Sequence, residues 1–414
     1  MTARPRRPLS PTAATVAATA IAVASIAGLA APASATLTRV RALGDGASYL
    51  EDDSNALVWF ASLVDYPDQV VLDLGELDHD APGSLNESLT GVAGGFHARL
   101  DRAGRWGTAG LYVQEDLPAG APGGAFTLLW ARGLGKITVG LKGSFSSHFE
   151  GENSTEIPGH GESLYFHDYG ASARWDIHDG LYGDLVYELV NVQGDATMQG
   201  SYSLPPQHTW STWGARTRWF IALDETAALV PVFDHRQDDR QVLAEALAAP
   251  ADQHVYRTAV GCGVNLLPDP DNLVVVSAEY RWGHELHDRL VDNSQTWDYD
   301  QSDATYEEVH ARVGLESRVL PWLTVRGALQ YLRLQNESRL SRGHTLPDEP
   351  DRWAEDQSIT ILTPITVGAG ILAGPFQADL VLNARWAETY GTFPFARSPQ
   401  ERGTYTGITF GYRF

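Results

Sequence analysis

The 414-residue chain predicts an all-β fold, a transmembrane antiparallel β-barrel of about sixteen strands, with fourteen as the alternative. Three observations predict it. The last ten residues, Tyr405–Phe414, alternate strictly: Ile408, Phe410, Tyr412 and Phe414 share one face, and Gly407, Thr409, Gly411 and Arg413 share the other. Alternation at period two is a strand with two unlike faces. From Asp68 onward, short joints rich in Gly, Pro, Asp and Asn alternate with long polar segments, the one-sided asymmetry of a membrane barrel. Strand after strand then sets an apolar face against a charged one.

The elements follow in chain order. Arg4, Arg6 and Arg7 precede an Ala-rich apolar run from Ala13 to Ala30, and Ala33-Ser34-Ala35 fits a small-x-small cleavage site. Residues 1–35 therefore read as a signal peptide, with the mature chain starting at Thr36. No later stretch approaches the roughly 18 uninterrupted apolar residues of a spanning helix. An exported chain without such a helix enters a membrane as a barrel.

Composition agrees. The chain has 40 Gly, 12 Trp and 16 Tyr, which suits many strands with interfacial aromatic belts. One Cys excludes an internal disulfide framework and any multi-cysteine metal site. The formal charge of −22 becomes about −25 after cleavage, which argues against a nucleic-acid partner.

Residues 36–66 are not strand-like. Asp53 or Ser54 is placed to cap a short helix carrying Leu57, Val58, Phe60 and Leu63. Residues 67–414 supply the barrel. Seven turns are expected at 101–104, 133–135, 178–180, 223–226, 268–272, 320–321 and 373–375. Long loops are expected near 78–92, 115–123, 149–161, 194–207, 237–252, 287–304, 337–356 and 390–402. Seven hairpins, a first strand near 69–77 and the closing strand give the sixteen.

Face assignments follow from alternation. Val309, Ala311, Val313, Leu315 and Val319 oppose Glu308, His310, Arg312, Glu316 and Arg318. Val274, Val276, Ala278, Tyr280 and Trp282 oppose Ser277, Glu279 and Arg281. Ile137, Val139, Leu141 and Phe145 oppose Lys136, Lys142, Ser144 and Ser146, and Trp213, Ala215, Thr217, Trp219 and Ile221 oppose Arg216 and Arg218. A lipid-facing Arg or Lys at mid-depth costs about 2–4 kcal/mol, so the charged sets line the lumen. The predicted lumen holds Lys142, Arg174, Arg216, Arg218, Arg257, Arg281, Arg312, Arg318 and Arg326, with Asp168, Asp184, Glu188, Glu279, Glu308 and Glu316. These charges either select solutes or pair across strands and stiffen the wall, and the two are compatible. The remaining acids, such as Asp234, Asp238, Asp239, Asp298, Asp300 and Asp303, are expected in solvated loops.

Two resemblances add to this. The closing strand resembles the C-terminal strand of bacterial outer-membrane β-barrels, which ends in Phe and is read by the insertion machinery. Phe410, Tyr412 and Phe414 would carry that signal here. The segments Arg41-Ala42-Leu43-Gly44 and Asp52-Asp53-Ser54-Asn55-Ala56, followed by Trp59, resemble the N-terminal region of the long-chain fatty-acid outer-membrane transporter family and its relatives. The family's Asn-Pro-Ala is absent, and Phe60-Ala61-Ser62-Leu63 stands there. The likeness covers about 25 residues and implies a hatch over 36–66 inside the barrel, with Arg41, Gly44, Asp52, Asp53, Asn55 and Trp59 as its marker residues.

No nucleophile elbow, phosphate loop, metal site or cofactor signature is present in the sequence. Asp234-His235 and His310 are loose candidates for an outer-rim enzyme, and His284 and His287 read as rim residues. Cys262 alternates with Val260 and Val264 on an apolar face. The expectation is a non-enzymatic outer-membrane channel of a Gram-negative cell. It would pass small hydrophobic or amphipathic solutes past an N-terminal plug. A hydrophilic porin, or a structural or secretion-associated barrel, is the alternative. Expected partners are outer-membrane lipid, the insertion machinery and the solute.

Overall fold

The computed structural model describes residues 37–44, 47–51, 53–75, 93–102, 104–114, 125–152, 160–198, 207–242, 251–292, 297–344, 352–383 and 405–414. The cleavage site at Ala35, Asp52 and the expected loops at 78–92, 115–123 and 390–402 lie outside them.

Sixteen antiparallel strands close a ring. They are β1 Gln69–Gly75, β2 Ala93–Arg99, β3 Thr108–Gln114, β4 Ala125–Leu134, β5 Ile137–Glu152, β6 His160–His178, β7 Leu181–Met198, β8 Gln207–Ala222 and β9 Ala227–Val242. They continue as β10 Ala251–Asp269, β11 Asn272–Asp292, β12 Trp297–Leu320, β13 Leu323–His344, β14, β15 Phe376–Asn383 and β16 Tyr405–Arg413. Strand β14 has two segments, Arg352–Leu362 and Ile365–Ala373. Both pair with β13 in one unbroken register, Leu332 opposite Leu362 and Leu329 opposite Ile365. Pro364 sits at the break, because it has no N–H to give the ladder, while its carbonyl still accepts from Gln330 N at 2.9 Å.

The seam joins β1 to β16, from Gln69 opposite Arg413 to Gly75 opposite Gly407, and Phe414 N donates to Asp68 O at 3.0 Å. Closure leaves no strand edge along the seam, which is what a barrel in lipid requires. The seven short joints fall at one end of the ring. Gly135, Gly180 and Gly374 hold φ of +73°, +80° and +63°, a region open to glycine at little cost.

Several strands run further than the sequence suggested. β11, β12 and β13 reach into the segments expected as loops at 287–304 and 337–356. Backbone pairing needs no apolar face, so a ladder continues past the point where the hydrophobic alternation fades. For the same reason Asp234, Asp238 and Asp239 lie on β9, and Asp298, Asp300 and Asp303 on β12, rather than in loops.

The outer surface carries the predicted apolar sets. Leu141, Leu185, Val260, Leu329 and Val367 are each about half exposed. On β12 the outward residues Val309 and Val319 are ten residues apart, ~34 Å along the strand and ~26 Å along the normal at a tilt near 40°. That matches an apolar band of about 25 Å. Trp106, Trp175, Trp322, Tyr412 and Phe414 stand exposed near the short-turn end, and the stacked Tyr280 and Trp282 lie farther up the wall. Among the described residues no helix is long and apolar enough to cross a membrane. The chain crosses with strands.

Candidate lumen and hatch

Residues 37–44, 47–51 and 53–66 lie inside the ring. Helix α1 (Leu37–Ala42) packs on β13–β16 and β1. A 3-10 turn at Ala47–Tyr49 touches β9 and β10, and another at Phe60–Asp65 touches β3–β6. The expected helix after Asp53 is instead two 3-10 pieces, Asp53–Leu57 and Phe60–Asp65. Contacts centred near β14–β15, β9–β10 and β4–β5 divide a sixteen-strand ring roughly into thirds. The hatch is suspended at three points.

Each point combines a buried polar tie with glycine seats. At the first, Arg39 Nε and Nη2 donate to Glu316 Oε2 and Oε1 at 2.7 and 2.9 Å. Arg326 Nε donates to the same Glu316 carboxylate at 2.5 Å and also pairs with Asp379. Thr38 and Thr409 hydroxyls meet at 2.5 Å. At the second, Tyr49 Oη donates to Glu279 Oε2 at 2.8 Å, and Asn265 Nδ2 to Tyr49 O at 2.7 Å. At the third, Arg174 bridges the half-exposed Glu51 and Asp65 at 3.1 and 2.7 Å while bonding Asp184 at 2.8 Å. Arg218 donates to Leu50 O at 2.7 Å and to Asp184 at 2.8 Å, and stacks on Trp59 at 4.5 Å.

The seats are lumen-facing glycines that allow the hatch backbone to touch the wall. A Cβ on Gly314 would lie 2.8 Å from Leu43 O, and one on Gly368 2.5 Å from Ala42 Cβ. One on Gly263 would lie 2.6 Å from Tyr49 Cδ1, and one on Gly140 2.7 Å from Ala61 N. Such gaps are too small for a methyl group to fit. Two apolar clusters complete the fit: Trp59, Phe60 and Leu63 with Leu129 and Val186, and Val40, Leu43 and Tyr49 with Val230 and Leu273.

The marker residues fall as follows. Gly44, at φ +88°, closes α1, its N–H bonded to Arg41 O at 3.0 Å. Arg41 is half-buried and acts electrostatically on Asp73 of β1. Asp53 opens a 3-10 turn, Asn55 is buried with Nδ2 donating to Leu50 O at 2.8 Å, and Trp59 is buried beneath Arg218. Sequence reading passed over Arg39, Tyr49, Asp65 and the glycine seats. The available signal was glycine recurring on the charged face of strands. Asp65 is half-exposed on the hatch, yet the partial loss of water around it, with help from Glu51, Asp184 and Asp176, pushes its carboxyl up to about 6 against the pull of Arg174.

The remaining lumen charges form an ion belt on the wall around the hatch. Lys142 bridges Asp168 and Glu188 at 2.7 and 2.9 Å, and Arg216 holds Glu188 at 2.6 Å and Asp234 at 3.8 Å. Arg281 pairs with Glu279 and reaches Glu308 at 3.5 Å; Arg312 reaches Glu279 at 3.7 Å. Arg257 lies over the Tyr306 ring at 5.8 Å. Glu316, Arg326 and Arg218 belong to the hatch ties rather than to the open wall.

The enzyme candidates disperse. Asp234 faces in, toward Arg216, while His235 packs on Trp213 and bonds Thr258 at 2.9 Å on the opposite face. His310 is taken up by Glu308 and Arg312. Cys262 is exposed on the outer face and His284 pairs there with Asp303 at 2.6 Å.

No family model matches the chain, and no curated protein does. Among solved structures it is similar to the toluene transporter TodX of Pseudomonas putida, at 11% identity and a TM-score of 0.40, over 93% of this chain and 98% of that one. It is also similar to the ferric yersiniabactin uptake receptor FyuA from Yersinia pestis, at 7% identity and a TM-score of 0.39, over 84% and 80%. The ferric-catecholate import receptor Fiu from E. coli K12 matches at 8% and 0.38, over 84% and 81%. At such identities and scores these likenesses say nothing about what this chain carries.

Proposed function

We propose that the chain is an outer-membrane channel for small polar solutes, held shut on its short-turn side by the residue 37–66 hatch. The observation that carries this is the ion belt from Lys142 to Arg312, set in the wall around a hatch tied at three points. An apolar solute would leave water to travel along charged side chains and gain no compensating burial. A polar solute keeps its hydrogen bonds there. This favours hydrophilic solutes over the hydrophobic or amphipathic ones that the N-terminal resemblance implies. Cleavage after Ala35, recognition of Phe410, Tyr412 and Phe414 by the insertion machinery, and an outer-membrane lipid surround belong to the same reading.

The test is single-channel conductance of the refolded protein with and without residues 36–66. A silent intact protein and a conducting truncated one support a hatch-closed channel. Steady conductance from the intact protein makes it an open porin. Silence from both overturns the channel and leaves an anchoring or structural barrel.

A further inference from the structure

Strand β4 alternates cleanly. Ala125, Thr127, Leu129 and Ala131 are buried toward the lumen, and Phe126, Leu128 and Leu134 stand about half exposed on the outer wall. Arg132 belongs to the outer set, between Trp130 and Leu134 and opposite Val139 of β5. It is a charge on the lipid face. Leu134 and Ile137 oppose each other beyond it and are 53% and 43% exposed. The apolar surface therefore continues past Arg132 by one outward step, ~7 Å along the strand. Outward residues near the turns of other strands are apolar: Trp175 on β6, Val319 on β12 and Ile371 on β14.

An arginine facing lipid costs free energy, less near the interface and less again when its guanidinium finds an anionic partner. Arg132 has no hydrogen bond or ion pair among the described residues. Its stem is held instead. The β2–β3 turn lies against β4, where Trp130 Nε1 donates to Trp106 O at 2.9 Å and a Cβ on Gly107 would lie 3.0 Å from Arg132 Cβ. Gly107 takes φ of +79° there, open to glycine at little cost. The same turn sets Trp106, 64% exposed, at the rim. This arrangement suits a phospholipid. The guanidinium fork takes phosphate oxygens, the indole sits at the headgroup boundary, and Leu134 and Ile137 meet the acyl chains.

Charge around the rim selects the headgroup. The β2–β3 and β4–β5 joints and their strand ends carry Arg99, Arg102, Arg105, Arg132 and Lys136. Asp68 lies 3.9 Å from Arg99 and Asp101 lies 3.5 Å from Arg105, while Lys136 donates to Ile177 O, which leaves a positive excess. The joints β6–β7, β8–β9 and β10–β11 carry Asp176, Asp179, Asp224, Glu225, Asp269 and Asp271 instead. A zwitterionic headgroup brings its own cation into the basic sector, and an anionic one does not.

We infer that Arg132 holds the phosphate of an anionic phospholipid in the leaflet on the short-turn side, with Trp106 packed beside the headgroup. The site lies on the outer wall, so its test is independent of the channel reading.

The experiment is native mass spectrometry of the full-length protein, refolded in detergent and mixed with equal amounts of phosphatidylglycerol and phosphatidylcholine of the same acyl chains. Preferential retention of phosphatidylglycerol is expected. R132Q should cut that retention tenfold or more, the worth of a charge-assisted hydrogen bond, with folding read by heat-modifiable gel mobility. W106A keeps the carbonyl that Trp130 uses and should cut it several-fold. R333Q removes an outward arginine that lies opposite Val309 and bonds Gln335, at the other edge of the apolar band, and should change nothing. If R132Q fails to fold, W106A decides. Equal retention of the two lipids by the wild type overturns the site. So does equal phosphatidylglycerol retention by the wild type and the deciding variant. Displacement of the lipid by an equal concentration of glycerol phosphate marks a free-phosphate site and overturns the lipid.

Discussion

Replacing Arg39 with Ala tests whether the hatch is a built part of the barrel or a loosely seated strap. Arg39 is 2% exposed and makes a two-bond pair with Glu316, which is fully buried. Removing one partner of a buried ion pair costs about 3–5 kcal/mol, because the other charge is left behind in a dry site. Here Glu316 keeps Arg326 at 2.5 Å, so the lower end applies, about 3 kcal/mol. That energy is local to α1, since the ties through Tyr49 and Arg218 remain. A loss of about 3 kcal/mol raises the undocked population of residues 37–44 roughly 150-fold. Trypsin cleavage after Arg41 in the detergent-solubilised protein reads that population when reclosing outpaces cleavage. The expected result is a cleavage rate up by about two orders of magnitude, with the barrel intact by gel mobility. A rate within threefold of wild type would refute the reasoning, because it would mean that desolvation of the pair already cancels its attraction.

Other perturbations address other parts of the architecture. Gly140→Val places a side chain where a Cβ alone is 2.7 Å from the Ala61 backbone. It should displace the third anchor at a cost of about 1–3 kcal/mol, seen as faster hydrogen exchange over 55–65. Asp65 has its carboxyl raised to about 6, so its ionised form is disfavoured in the docked hatch. Its contribution to docking is full below the unperturbed value near 4 and lost as pH rises through about 6, so the protection of this segment relative to intrinsic exchange should fall between pH 4 and 7, and D65N should flatten that profile. Val260→Arg, on the outer face, should lower unfolding stability in lipid by about 2–4 kcal/mol, as denaturant unfolding in vesicles would measure. Deleting Phe414 removes the N–H that bonds Asp68 O at the seam, and the level of assembled barrel in the outer membrane should fall while export continues.

The sequence by itself determined the barrel and its faces, and it brought the strand count to sixteen with fourteen still open. Alternation is a one-dimensional property: Val309, Ala311 and Val313 against Glu308, His310 and Arg312 can be read without knowing any neighbour. Turn positions were equally legible, because Gly135, Gly180 and Gly374 carry a local conformational demand. The ends of the strands were not, since Asp238 and Asp303 lie on ladders whose hydrogen bonds ignore side-chain polarity. Only the tertiary structure decided which lumen charges do what. Glu316 and Arg326 looked like open-wall residues, yet they clamp Arg39, a partner 277 residues from Glu316 along the chain. The glycine seats were invisible for the same reason. Each depends on which residues the closed ring brings opposite one another, and that register is set by the whole barrel rather than by any stretch of sequence.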